Sequence, residues 1–257
     1  MIQTHLLLLF AALFAQQPIA EGVNLYSLEK EVELGRLSAS ELEQALAATS
    51  DPELTRIGER LATAADSAYP YSYRLFSFDD AKKPEALPAG ILAFPGDWRS
   101  GQIHEAIAVA GGGIFVGASV RALAGDEAGL AAILAHAVGH ISLRHATRQA
   151  SRGAIINWIQ LPLTMSDSAA SQQMRRQAPE TFQVSMMVFA RGYEMAADVY
   201  AVGLLSRAGY DPGALLRWLE KLRLFDSPAG FGLYPPVAQR IQVVKEAIDK
   251  LPPPASR

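Results

Sequence analysis

Between Asp126 and Gln149 the sequence reads as one long helix, and this segment constrains the fold more than any other. Leu130, Ile133, Leu134, Ala137, Val138 and Ile141 recur at helical spacing and form an apolar stripe that needs a core to face. His136 and His140 border the stripe, so two imidazoles stand at the edge of that core. Four residues apart, they share a helix face and can reach one metal ion. His145 lies nine residues past His136, about 180° round the helix, and is expected to point away.

The rest of the chain supplies the partners of this helix. Ser27 to Ala65 has a helical pattern, restarted at Asp51-Pro52, and Leu54, Ile57, Gly58 and Leu61 give its second half one face. Tyr71 to Phe78 alternates and is aromatic, which predicts a strand. Residues 81 to 102 read as a loop or insertion. Ala106 to Ala110 and Ile114 to Val116 read as extended chain interrupted by three glycines. A short helix, Ser119 to Ala124, is expected to end at Gly125. Residues 165 to 181 are polar and are expected to be a mobile segment. Further helices are expected over Phe189 to Ala208, Pro212 to Leu224 and Val237 to Asp249.

The 257-residue chain has no cysteine, which excludes disulfides and thiolate metal sites. A third ligand for His136 and His140 must then be His, Asp or Glu. Glu194 is the best candidate, because it interrupts an apolar helix where an unpaired carboxylate is costly. Arg191, one turn away, is the alternative partner for it. Asp198 falls on the same face and could fix the tautomer of a ligating imidazole. Two imidazoles and a carboxylate suit one Zn²⁺ per chain better than magnesium or calcium. A net charge of -3 gives no electrostatic footprint for nucleic acid.

These segments, in this order, resemble the HtpX-like and CAAX-prenyl-protease-like zinc metallopeptidases of the gluzincin type. EKEVELGR resembles the opening helix of that family, AIAVAGGGIFV its edge segment, and AGDEAGLAAILAHAVGHISLRH its long helix. EMAADVYAVGLLSRAGYDP is similar to its ExxAD block and YPPVAQRI to its HPPxxxRI block. The resemblance implies a mainly helical α+β, zincin-like metallopeptidase fold with a small edge-strand sheet. It implies His136, His140 and Glu194 as zinc ligands, Asp198 behind them, and Arg240 as the arginine of the terminal block. It also implies that Ala108, Gly111 and Gly112 belong to a strand that binds extended substrate by adding it as a further strand.

Three residues depart from the family pattern. Ala137 stands where HExxH places its general-base glutamate, Tyr234 where a histidine precedes the double proline, and Glu105 where an asparagine opens the edge segment. Alanine can neither take a proton from water nor deliver one to a leaving amine. Three readings follow: an impaired metalloendopeptidase, a non-catalytic polypeptide-binding pseudoprotease with a structural zinc, or an enzyme whose base has moved to Glu105. Glu127 lies on the far side of the helix, more than two turns from His136, and is discounted as a base. The second departure, at Tyr234, favours a natural variant over an engineered Ala137.

The apolar run Leu6 to Ala15 has the length of a signal-peptide core. Residues 1 to 20 are therefore expected to be a signal peptide and 21 to 257 a single metallopeptidase-like domain, exported to the periplasm or cell envelope. By resemblance the partners are misfolded or membrane-associated polypeptides, with a membrane surface allowed as a further contact.

Overall fold

The computed structural model describes residues 23–65, 67, 69–77, 93–94, 106–164, 169–223 and 234–252. The expected signal peptide, the loop at 81 to 102 apart from Ala93 and Phe94, and Glu105 lie outside them.

Helix α1 spans Leu28–Ala45. Ser27 caps it by accepting from the Lys30 amide, and Glu29 and Glu31 sit in its first turn, where a helix favours acidic groups. Strand β1, Thr49–Ser50, leads to α2, Pro52–Ala65. The restart at Asp51 works as its sequence suggests: the carboxylate accepts from the amides of Glu53 and Leu54, and Pro52 opens the first turn. Leu54, Ile57, Gly58 and Leu61 are the buried face of α2.

Strands β2 (Ser72–Phe76), β3 (Ala93–Phe94), β4 (Ile107–Val109) and β5 (Gly113–Gly117) complete a five-stranded sheet in the order β1-β2-β5-β4-β3. Strands β2 and β5 are parallel, in the register Ser72↔Gly113 to Phe76↔Gly117, and the other pairs are antiparallel. Between β4 and β5, Ala110–Gly112 form a tight turn with Gly111 at φ 78° and Gly112 at φ 122°. Both values lie where side chains are disfavoured. Helix α1 lies directly on this turn. A Cβ on Gly35 would fall 1.7 Å from the Ala110 carbonyl oxygen, and one on Gly111 would fall 2.9 Å from the Val32 Cα. Backbone meets backbone here, and only glycine permits it.

Helix α3, Ala118–Ala124, ends at Gly125 as expected. Helix α4 spans Glu127–Ser142, with Asp126 accepting from the Gly129 amide at its start. Two expectations fail here. Helix α4 is buried on every side from Gly129 to Ile141 rather than along one stripe, because α2, α6 and α7 surround it. The helix also stops seven residues early. Leu143 and Arg144 form a turn, with Arg144 at φ 59°, and a new helix α5 runs over His145–Thr164.

Helix α6 spans Ala169–Arg207. The segment expected to be mobile is therefore helical from Ala169 onward, as its alanines, glutamines, methionine and arginines favour. Helices α7 (Gly213–Leu222) and α8 (Val237–Asp249) close the fold around α4 and α6. Mainly helical α+β architecture is thus the observed class. Among the described residues no helix is long and apolar enough to cross a membrane.

Candidate metal centre

Four helices converge on one buried point. Helix α4 supplies His136 and His140, α6 supplies Glu194 and Asp198, α5 opens with His145, and α8 supplies Arg240. Gly139 lets α4 and α6 approach closely, since a Cβ there would stand 3.0 Å from the Ala197 carbonyl oxygen. All six side chains are buried.

His136 Nε2 and His140 Nε2 are 2.9 Å apart. Glu194 Oε2 lies 3.3 Å from the first and Oε1 lies 3.7 Å from the second. A tetrahedral zinc with bonds near 2.0–2.1 Å asks for donor atoms about 3.3 Å apart, and the observed spacings bracket that value. Burial, followed by the charges of His136, His145 and Arg240, holds the His140 imidazole well below its ordinary pKa. It therefore stays neutral, which is the form that ligates metal. The donor set and its spacing fit Zn²⁺.

The atoms behind the donors are equally ordered. His136 Nδ1 lies 2.9 Å from Asp198 Oδ1. Arg240 donates to both oxygens of Asp198, from Nε at 2.7 Å and Nη2 at 2.8 Å. Burial raises the Asp198 carboxyl, but the charge and hydrogen bonds of Arg240, with the contact to His136, outweigh it and leave the group ionised below its usual range. Arg240 Nη1 is also 3.5 Å from Glu194 Oε2. Arg240 is thus a cation the structure places beside Glu194.

His145 overturns the expectation that it points away. The turn at Arg144 folds α5 back, and His145 Nδ1 comes within 2.9 Å of His140 Nδ1. No glycine or proline marks that turn, so nothing in the local sequence announces it. Burial, with the charges of His136 and Arg148, pulls the His145 pKa down to about 3.

Ala137 is fully buried in the main hydrophobic core. Among the described residues only His136, His140 and Glu194 gather as a group of metal-ligating side chains. Glu127 lies at the surface in α4's first turn, held by both terminal nitrogens of Arg56 at 3.0 and 2.9 Å. Tyr234 is half-buried just before Pro235-Pro236 and the start of α8.

The glycine-rich strand does not stand at a sheet edge. Ala108 pairs with Phe94 of β3 on one side and with Ile114 of β5 on the other. Gly111 and Gly112 are covered by the backbone of α1 and of Pro70-Tyr71. Their lack of side chains serves packing between elements, and among the described residues Ala108 and Val109 of β4 already have strand partners on both sides.

Comparison with known proteins agrees with this geometry. Peptidase family M48 matches residues 48–248. The chain is 26% identical over 208 residues to the beta-barrel assembly-enhancing protease of Yersinia pestis, covering 76% of this chain and 38% of that protein. It is 24% identical over 208 residues, with the same coverage, to the protein of that name from Escherichia coli K12. The chain thus spans about two fifths of the length of these curated relatives.

Proposed function

The chain belongs to peptidase family M48, and on that footing we propose that it is an exported zinc-binding protein that engages unfolded polypeptide in the cell envelope, with hydrolysis impaired by the loss of its general base. The observation that carries this reading is the pairing of an ordered donor set, His136, His140 and Glu194, with a methyl group at Ala137.

His136 and His140 would hold the ion through Nε2, and Glu194 through its carboxylate. Zinc in such a site supplies charge that polarises a carbonyl and acidifies water. Asp198 orients the His136 ring, and Arg240 keeps Asp198 ionised and fixed. Beside them Ala137 can neither take nor return a proton. General acid–base catalysis typically contributes about 10²–10⁴-fold, and the chain forgoes that share.

The polypeptide client and the envelope location rest on the relatives, which are named as proteases that enhance β-barrel assembly, and on the signal-like residues 1 to 20. Elemental analysis of the purified chain is expected to give about one zinc per protein. Casein should be cut at a trace rate that a chelator abolishes. A chain that stays metal-free after zinc loading, or one that cuts casein as fast as ordinary metallopeptidases, would overturn the reading. Binding of casein with no cleavage in either case would identify a polypeptide-binding pseudoprotease.

A further inference from the structure

We propose that His145 is the positioning residue of the metal centre: its Nδ1 accepts the Nδ1 proton of His140 and so fixes which nitrogen of His140 faces the ion. The inference rests on the reading that His136, His140 and Glu194 bind zinc, and it adds the group that prepares one of those ligands.

A histidine that ligates through Nε2 keeps its single ring proton on Nδ1 and needs an acceptor there. His136 faces the Asp198 carboxylate with its Nδ1. His140 faces His145 instead, with the two Nδ1 atoms 2.9 Å apart. Two ring nitrogens at that distance require one proton between them. The Nδ1 lone pair of His145 must then be the acceptor, which leaves the proton of His145 on Nε2.

The surroundings hold His145 in place. Its ring stacks on Tyr193, with centroids 4.4 Å apart and planes 25° apart, and Arg152 donates to the Tyr193 hydroxyl at 3.0 Å. The preceding residue, Arg144, adopts the left-handed conformation that turns the chain back. Its guanidinium donates from Nε to the buried Glu31 carboxylate at 2.6 Å and from Nη2 to the Tyr26 carbonyl at 2.7 Å. Thr147 donates to the same carboxylate at 2.9 Å. Helix α1 thereby fixes the turn, the turn fixes His145, and His145 fixes His140.

The two imidazoles are then unequal. His136 is backed by an anion and is the stronger donor. His140 is backed by a neutral ring and is the weaker one.

The test uses the full chain loaded with zinc. Nitrogen-15 NMR should show a scalar coupling between His140 Nδ1 and His145 Nδ1 across the shared proton. His145→Phe keeps a ring against Tyr193 but removes the acceptor, and its zinc affinity, by chelator competition, should fall about 10- to 100-fold. His145→Asn puts an amide oxygen near the Nδ1 position and should restore affinity to within a few-fold. Absence of the coupling in the unmodified chain overturns the proposal even if a variant fails to fold. So does a Phe variant that binds zinc as tightly as the parent, or an Asn variant as weak as the Phe variant. If the unmodified chain takes up no zinc, the metal-site reading itself falls, and this proposal with it.

Discussion

Asp198 divides one carboxylate between Arg240, which donates to both its oxygens, and the ring of His136. Removing the guanidinium would strand an anion in the core. Arg240→Met is therefore expected to cost about 3–5 kcal/mol, read as a lower urea midpoint. Adding Asp198→Asn to that variant should recover part of the loss, because the stranded charge disappears. A single Arg240→Met change within about 1 kcal/mol of the parent would show that the pair contributes little. At this scale the sequence disclosed what is local. His136 with His140, and Glu194 with Asp198, are each four apart and share a helix face. Arg240 entered only through resemblance, and its pairing with Asp198 is a contact between residues 42 apart that no spacing rule reaches. The direction of His145 is not a local property, because the turn before it is held by Glu31, far earlier in the chain.

Helix α1 and the glycine turn meet through their backbones, and this contact sets the platform on which the Arg144 turn rests. Gly35→Ala would drive a methyl group into the Ala110 carbonyl and force α1 away. A loss of more than about 2 kcal/mol is expected in urea unfolding. Gly153 in α5 is a useful contrast. Nothing lies within 4 Å of its missing Cβ, so Gly153→Ala should stabilise the chain by up to about 1 kcal/mol through helix propensity alone. Equal effects at both positions would contradict the close contact. The helices and most strands are legible in the sequence because their caps, periodicity and glycine stops are local signals. The break at Leu143-Arg144 is not, since a residue other than glycine at positive φ is held there by distant partners. Nor is the interior position of β4, because its outer neighbour β3 is only two residues long.

Across the whole molecule, the buried neutral histidines make the metal-free chain acid-sensitive. His140 and His145 both titrate below the ordinary value of 6.5 in the folded state, His145 near 3. The unfolded chain takes up protons near 6.5 that the folded chain refuses. Stability is therefore fully present above that pH and declines below it, by about 1.4 kcal/mol per pH unit for each such group. For His145 the decline continues to about pH 3, and the Asp198 contribution is lost only as pH falls through its own lowered value. Urea midpoints of the metal-free chain should be level above about pH 7 and fall steadily towards about pH 5. A flat profile would mean that these rings are not buried in the neutral form.

The central claim is that a sound metal centre has lost its proton carrier at one position. The most direct test is the rate of casein cleavage by the zinc-loaded Ala137→Glu variant against the zinc-loaded parent. Ala137 follows His136 on α4, where the HExxH pattern places a carboxylate. Its full burial means that the longer side chain also costs stability, so folding is checked by zinc content. The account predicts a gain on the order of 10²-fold, abolished by a chelator. A folded, zinc-containing variant that cuts casein no faster than the parent would contradict it.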